Sequence, residues 1–270
     1  MKTKILSLIF FVCIGYSYAQ QNEGPSNTQF MIRGYGSALF QSVNDEGAKE
    51  SSFKTGNFAP ILLFKLSDRL MFETELEFTY EDGELETVVD YANIMYILND
   101  YMTIRAGKFL LPYGTFMERL HPSWINKLST TPLGFGHDGI APSSGVGLEL
   151  RGACYFGSSK LNYSVFSTNG PELNDGNEEP DEAGILHFDN YSDNNNNKSL
   201  GGRIGFLPFI DSSTEIGFSF INSKVGERGS EYENVSANLV AYDFSFVKKI
   251  NPLGGILDVK AQFNKSVVDD

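Results

Sequence analysis

Hydrophobic and polar residues alternate with a period of two along most of this chain. The run LMFETELEFTY at 70–80 is the clearest case. Leu70, Phe72, Leu76, Phe78 and Tyr80 share one face with Thr74, while Met71, Glu73, Glu75, Glu77 and Thr79 share the other. A helix would scatter these glutamates around its circumference, whereas a strand lines them up. Val146, Leu148 and Leu150 oppose Glu149 and Arg151 in the same way, and Leu200, Ile204 and Phe206 oppose Arg203. The pattern predicts about eleven strands, near 29–41, 52–65, 70–80, 85–97, 102–109, 145–155, 161–168, 198–207, 214–222, 234–247 and 256–263.

Connections between these segments fall into two classes. Alternate ones are short and rich in turn formers, such as Ser67-Asp68-Arg69, Asn99-Asp100, Gly157-Ser158-Ser159 and Asp211-Ser212-Ser213. Those between are mostly long and polar: Ser42–Ser51, Leu110–Ser144, Asn169–Asn197 and Ser223–Glu233, with only Glu81–Glu84 tight. Short turns on one rim and long loops on the other are the asymmetry of outer-membrane barrels, and a soluble β-sandwich has no reason to sort loop length by parity. The expected fold is therefore all-β, a transmembrane antiparallel up-and-down β-barrel. Tyr and Phe near many strand ends suit interfacial girdles, as they also suit sandwiches. The eleventh strand ends on the long-loop side, so an even-stranded barrel predicts either further chain beyond Asp270, with 12–16 strands in all, or one strand miscounted.

The leader agrees with export. Lys2 and Lys4 precede an apolar run over Ile5–Ile14, and Ser17-Tyr18-Ala19 supplies a cleavage site, so residues 1–19 read as a signal peptide and 20–270 as the barrel. The apolar run is shorter than the about 20 residues a membrane helix needs. Residues 1–19 hold two lysines and no acids. The 21 basic and 34 acidic residues of the whole chain thus become 19 against 34, a formal charge of −15. That balance argues against nucleic-acid binding. Past the leader, Cys154 is the one cysteine, and a single thiol makes no intrachain disulfide.

Segment Leu110–Ser144 is unlike the other loops. It holds four of the ten prolines, the one Trp (Trp124), and His121 and His137. So long and apolar a loop has a task. Either it folds back into the barrel and narrows the bore, with Glu118, Arg119, His121, Trp124 and Lys127 as its contacts, or it packs over the mouth as a plug. Gly107, Lys108, Phe109, Pro112, Tyr113 and Gly114, within RAGKFLLPYGTF at 105–116, resemble the strand-to-loop passage of phosphate-selective porin O/P-like proteins of Bacteroidetes. The resemblance covers about 29–170 and implies a trimeric or monomeric diffusion channel. Those porins have basic pores, and this chain is acidic, so phosphate selectivity does not carry over.

Charges on the polar faces belong in a wet lumen, since an Arg or Lys in lipid costs about 2–4 kcal/mol at the midplane. Arg105, Arg151 and Arg203 on one side, with Glu73, Glu75, Glu77 and Glu149, suggest a transverse field that filters solutes; the alternative is that they pair and solvate the interior. Acidic loop 169–197 reads as a solvated external loop, since its spacing is not that of a calcium loop. No paired histidine spacing marks a metal site and no cofactor motif occurs. His137, Asp138 and Ser143 or Ser144 are the weak case for a hydrolase, because triads are recognised by geometry. The expectation is a non-enzymatic, porin-like channel for small polar solutes, in contact with outer-membrane lipid and the machinery that assembles barrels. A closed barrel acting as adhesin or receptor through its external loops is the rival.

Overall fold

The computed structural model describes residues 28–269 except 46–47, 82–83, 127, 129, 137–138, 178–179, 189–190, 210 and 212. Eleven antiparallel strands form one up-and-down sheet in chain order: β1 (Gln29–Asp45), β2 (Ala48–Lys65), β3 (Leu70–Glu81), β4 (Glu84–Asn99), β5 (Met102–Leu110), β6 (Ser144–Phe156), β7 (Ser159–Thr168), β10 (Ser199–Leu207), β11 (Thr214–Lys224), β12 (Ser236–Ile250) and β13 (Gly255–Val268). Two short strands, β8 (Glu172–Leu173) and β9 (Leu186–His187), make a separate hairpin inside the 169–198 connection. One short helix, α1 (Phe116–Arg119), lies in the long segment after β5. Every strand expected from the period-two pattern is present, and among the described residues the one other sheet is the two-stranded β8–β9 hairpin, too small to make a sandwich.

The sheet is inside out relative to a water-soluble protein. On β10, Leu200, Ile204 and Phe206 are exposed while Arg203 between them is buried at 5 % exposure. Leu148, 60 % exposed, neighbours Glu149 at 2 %. Strand β11 repeats the pattern, with Ile216, Phe218 and Phe220 outside and Glu215 and Ser219 inside. Aromatic rows run across the outer face: Phe30 lies opposite Phe64, which lies opposite Phe72, and their rings are 4.4 and 6.0 Å apart. Apolar surface of this extent, backed by buried charge, is stable only against lipid.

The sheet curls around segment 111–143. Within or beside that segment, Gly114 N–H donates to Ser219 Oγ on β11 (3.0 Å), Thr115 N–H donates to Gln262 Oε1 on β13 (3.1 Å), and His121 lies against Glu75 on β3. Strands from both halves of the sheet thus meet one central element, as in a barrel. Among the described residues no ladder joins β1 to β13, so this seam is unpaired.

One loop expectation is corrected. Residues 42–51 read as a long polar loop, yet β1 and β2 stay paired to Asp45 and Ala48, leaving only 46–47 between them. Once a hairpin rises past the bilayer both faces meet water, and a ladder continues there with no apolar alternation to announce it. Seventeen residues in β1 exceed the roughly 10 that crossing requires. The long connections on that rim are 111–143, 169–198 and 225–235.

Candidate lumen and constriction

Where β5 meets the long segment, the alternation breaks. Arg105 faces inward, so Ala106 and Lys108 would face lipid in a regular strand. Gly107 has φ +121. That backbone turn brings two consecutive side chains, Lys108 and Phe109, into the interior, at 8 % and 0 % exposure. A Cβ on Gly107 would sit 2.4 Å from the Ala92 carbonyl oxygen, so only glycine fits. A second break lies on β4. Glu75 pairs with Tyr91 and Leu76 with Val89, which leaves Asp90 as the extra residue of a bulge. Bulges re-aim side chains, and Asp90 lines the interior cavity.

The start of segment 111–143, through His121, is seated against the inward faces of the strands, whereas Trp124, Leu128 and Leu133 beyond it are exposed. Its root is apolar: Phe109, Leu111, Tyr113 and Ala141 pack with Phe166, Ile221, Leu239 and Ala241 in one cluster. Deeper in, α1 carries charge. Glu118 Oε1 accepts from Arg151 Nη1 (2.5 Å) and Arg105 Nη2 (3.3 Å), while Arg105 Nε donates to Glu149 Oε2 (2.5 Å). Ser164 adds a hydroxyl to Glu149 Oε1 at 2.7 Å. On the far wall Arg119 Nη1 donates to Glu215 Oε2 (2.7 Å), and Arg203 holds Glu215 Oε1 (2.9 Å) and both oxygens of Asp243. Each network balances two guanidinium groups against two carboxylates. Breaking one partner of such a buried set leaves a charge stranded, which is why the segment is latched.

The expected lining residues thus divide. Arg105, Arg151 and Arg203 are interior and each is neutralised locally, as is Glu149. Glu73, Glu75 and Glu77 lie on β3, two strands from Arg105: Asn93 donates to Glu73, Tyr35 to Glu75 (2.6 Å) and Asn57 to Glu77 (2.5 Å). Glu118, Arg119 and His121 face this interior, whereas Trp124 is 66 % exposed. Lys127, like His137 and Asp138 of the hydrolase alternative, lies outside the described residues. In the 169–197 loop, Asp193 pairs with Lys198, and Asn195 ties the Lys224 and Gly226 carbonyls. Sequence reading missed Asp90, Lys108, Tyr35, Glu215 and Asp243. Glu215 and Asp243 were legible from the alternation on their strands; Asp90 and Lys108 sit where that alternation fails.

A cavity of about 300 Å³ remains between the segment and the β1–β5 wall. Tyr35, Asn57, Glu77, Asp90, Lys108 and His121 are among the residues that line it. Four carboxylates (Glu73, Glu75, Glu77, Asp90) on this wall face one lysine and one histidine. Lys108 Nζ in turn lies 4.8 Å from the Tyr191 ring centre.

Glu118 and His121 on the seated segment carry shifted protonation. Burial alone pushes the Glu118 carboxyl up, but Arg151, Arg105 and Arg119 overcome this and hold it below the ordinary glutamate range. Burial pulls the His121 pKa down, but Glu75 beside it and the Met117 carbonyl overcome this and leave it raised. A depressed carboxylate gives its stabilisation fully above its unfolded pKa and loses it as pH falls through the lower folded value. Acidification from neutrality to about pH 4.3, the ordinary glutamate value, is therefore expected to leave the segment latched. Single-channel conductance against pH checks this; a step in conductance above that pH would refute it.

No protein-family model matches the chain, and no curated sequence does. Among solved structures, the chain is similar to OmpT (in-vitro folded), an outer membrane protein of Vibrio cholerae, in its trimer form. The TM-score is 0.42 at 10% identity, over 88% of this chain and 78% of that one. It is also similar to Salmonella typhi OmpF in complex with daunomycin, with TM-score 0.30 and 10% identity over 89% of this chain and 85% of that one. Both likenesses are too distant to transfer a residue or a function.

Proposed function

We propose that the chain forms an outer-membrane diffusion channel for small polar solutes, with segment 111–143 as its constriction. The observation that carries this reading is the latched segment beside an open cavity on the β1–β5 wall that Glu77, Asp90, Lys108 and His121 help to line. No covalent chemistry is invoked: passage is set by bore size and by the charge that lines it. Because the arginines are paired off and the open side is acidic, the channel favours cations. In planar bilayers the refolded protein is expected to give stepwise conductance with cation-selective reversal potentials. The Arg105→Gln/Arg151→Gln/Arg203→Gln variant should strengthen that selectivity by stripping these arginines from Glu118, Glu149 and Asp243, while Arg119 still holds Glu215. Folded, inserted protein that passes no current would refute the channel, and anion selectivity would refute the charge assignment.

A second reading has one observation behind it. The apolar cluster of Phe109, Leu111, Tyr113, Phe166 and Leu239 fills part of the bore below the long-loop rim. A barrel closed there would act through its external loops, as adhesin or receptor. Absence of conductance together with saturable cell or ligand binding would establish that role.

A further inference from the structure

Glu75, Asp90 and His121 come from β3, from the β4 bulge and from the seated segment, far apart in sequence. Their ligand atoms all lie within 4.8 Å of one another. The histidine is set up as a metal ligand. Its Nδ1 lies 2.5 Å from the Met117 carbonyl oxygen, which can only accept, so Nδ1 carries a proton and donates. A backbone carbonyl on one ring nitrogen fixes the tautomer and leaves the other free to ligate. Nε2 is that free atom: it is buried, has no hydrogen-bond partner among the described residues, and stands 3.9 Å from Glu75 Oε1. Glu75 is itself oriented, since Tyr35 donates to its Oε1 at 2.6 Å. The cavity beside Asp90 and His121 supplies access and room for water on a remaining coordination position.

We propose that Glu75, Asp90 and His121 bind one divalent transition metal of the zinc class, bridging the barrel wall to the constriction segment. One imidazole with two carboxylates suits zinc better than calcium or magnesium, which take oxygen ligands alone. Ligand atoms up to 4.8 Å apart must close by an ångström or more around an ion with bonds of about 2.0–2.2 Å. His121 sits on an irregular stretch that can make that movement. The ion displaces any proton held at Nε2 by Glu75 and Asp90, with Glu77 and Lys108 as the neighbouring charges. Bound metal would pin the segment to β3 and β4, a third anchor beside the Glu118 and Arg119 latches.

The site requires the segment to be seated, but it does not require conduction. Zinc binding to the refolded full chain in detergent, measured by titration calorimetry at neutral pH, is expected to show one ion per chain. His121→Gln and Asp90→Asn should each weaken it by more than the roughly tenfold that even an outer-shell change can command. His187→Gln, altering a histidine in the external hairpin, should leave it unchanged, and calcium should not compete. Heat-modifiable migration on gels confirms that each variant is folded. Native-like zinc affinity in the folded His121→Gln/Asp90→Asn double variant would overturn the site, as would failure of the native chain to bind zinc. Zinc binding without conductance would sink the channel and spare the site.

Discussion

Glu118→Gln is expected to raise single-channel conductance and open-channel noise severalfold, the larger of the functional effects in this protein. Glu118 is the one carboxylate on the seated segment that Arg105 and Arg151 share, at 3.3 and 2.5 Å. Glutamine keeps the shape and removes the charge, leaving two guanidinium groups against Glu149 alone. Removing one partner of a fully buried pair costs about 3–5 kcal/mol. Arg151 is a third exposed, so water offsets part of that, and about 2–3 kcal/mol is the expected loss at this anchor. A loss of that size shifts the seated-to-released ratio by about 30- to 160-fold. Trp124→Ala supplies the contrast, because Trp124 is exposed and anchors nothing. Protease cleavage within 111–143 in vesicle-inserted protein reads the same release without relying on conduction. Native current, noise and protease resistance in folded Glu118→Gln would show that the latch does not hold the constriction.

Much of this architecture was legible because lipid and water impose opposite demands on alternate residues. Leu148 against Glu149, and Ile204 against Arg203, declare which side each faces before any coordinates exist. The seated position of 111–143 was half legible. Proline, Trp124 and charge marked the segment as unusual, but nothing in its order says that Glu118 meets Arg105 and Arg151 while Arg119, next to it, reaches Glu215 across the bore. That choice depends on how a sheet of eleven strands curls, which is a property of pairs distant in sequence.

The pairing of charges was open on the same ground. Arg105, Arg151 and Arg203 share parity with the glutamates, which is compatible either with an arc facing a ladder or with local neutralisation. Cross-strand register decides. Arg105 lies directly opposite Glu149 in the β5–β6 ladder, and Asp243, one strand beyond β11, reaches Arg203 through the gap at Gly217. What stayed hidden was part of the charge on the open side of the lumen, because Asp90 and Lys108 stand at the two breaks in the period. A strict alternation assigns both to lipid. Local rules fail most often where a site is built, and here the failure and the cavity coincide.

The largest structural effect is expected at one of those breaks. Gly107→Ala should cost about 3 kcal/mol or more, a large fraction of the roughly 5–15 kcal/mol that holds a typical domain folded. An L-residue at φ +121 is strained by about 1–3 kcal/mol wherever it sits. Here the new methyl also meets the Ala92 carbonyl oxygen at 2.4 Å and the Asn93 Cα at 3.1 Å, both backbone atoms of the paired strand that cannot rotate away. Relaxing φ to an ordinary strand value restores alternation and turns Lys108 toward lipid, losing its contact with Tyr191 and its place beside Asp90. Gly136→Ala separates strain from collision, since Gly136 has φ +110 with nothing within 4 Å of its virtual Cβ. Urea unfolding in detergent should show Gly136→Ala mildly weakened and Gly107→Ala severely so. Equal losses in the two variants would mean that the close approach to β4 is not what demands glycine, and that the inward turn of Lys108 has another cause.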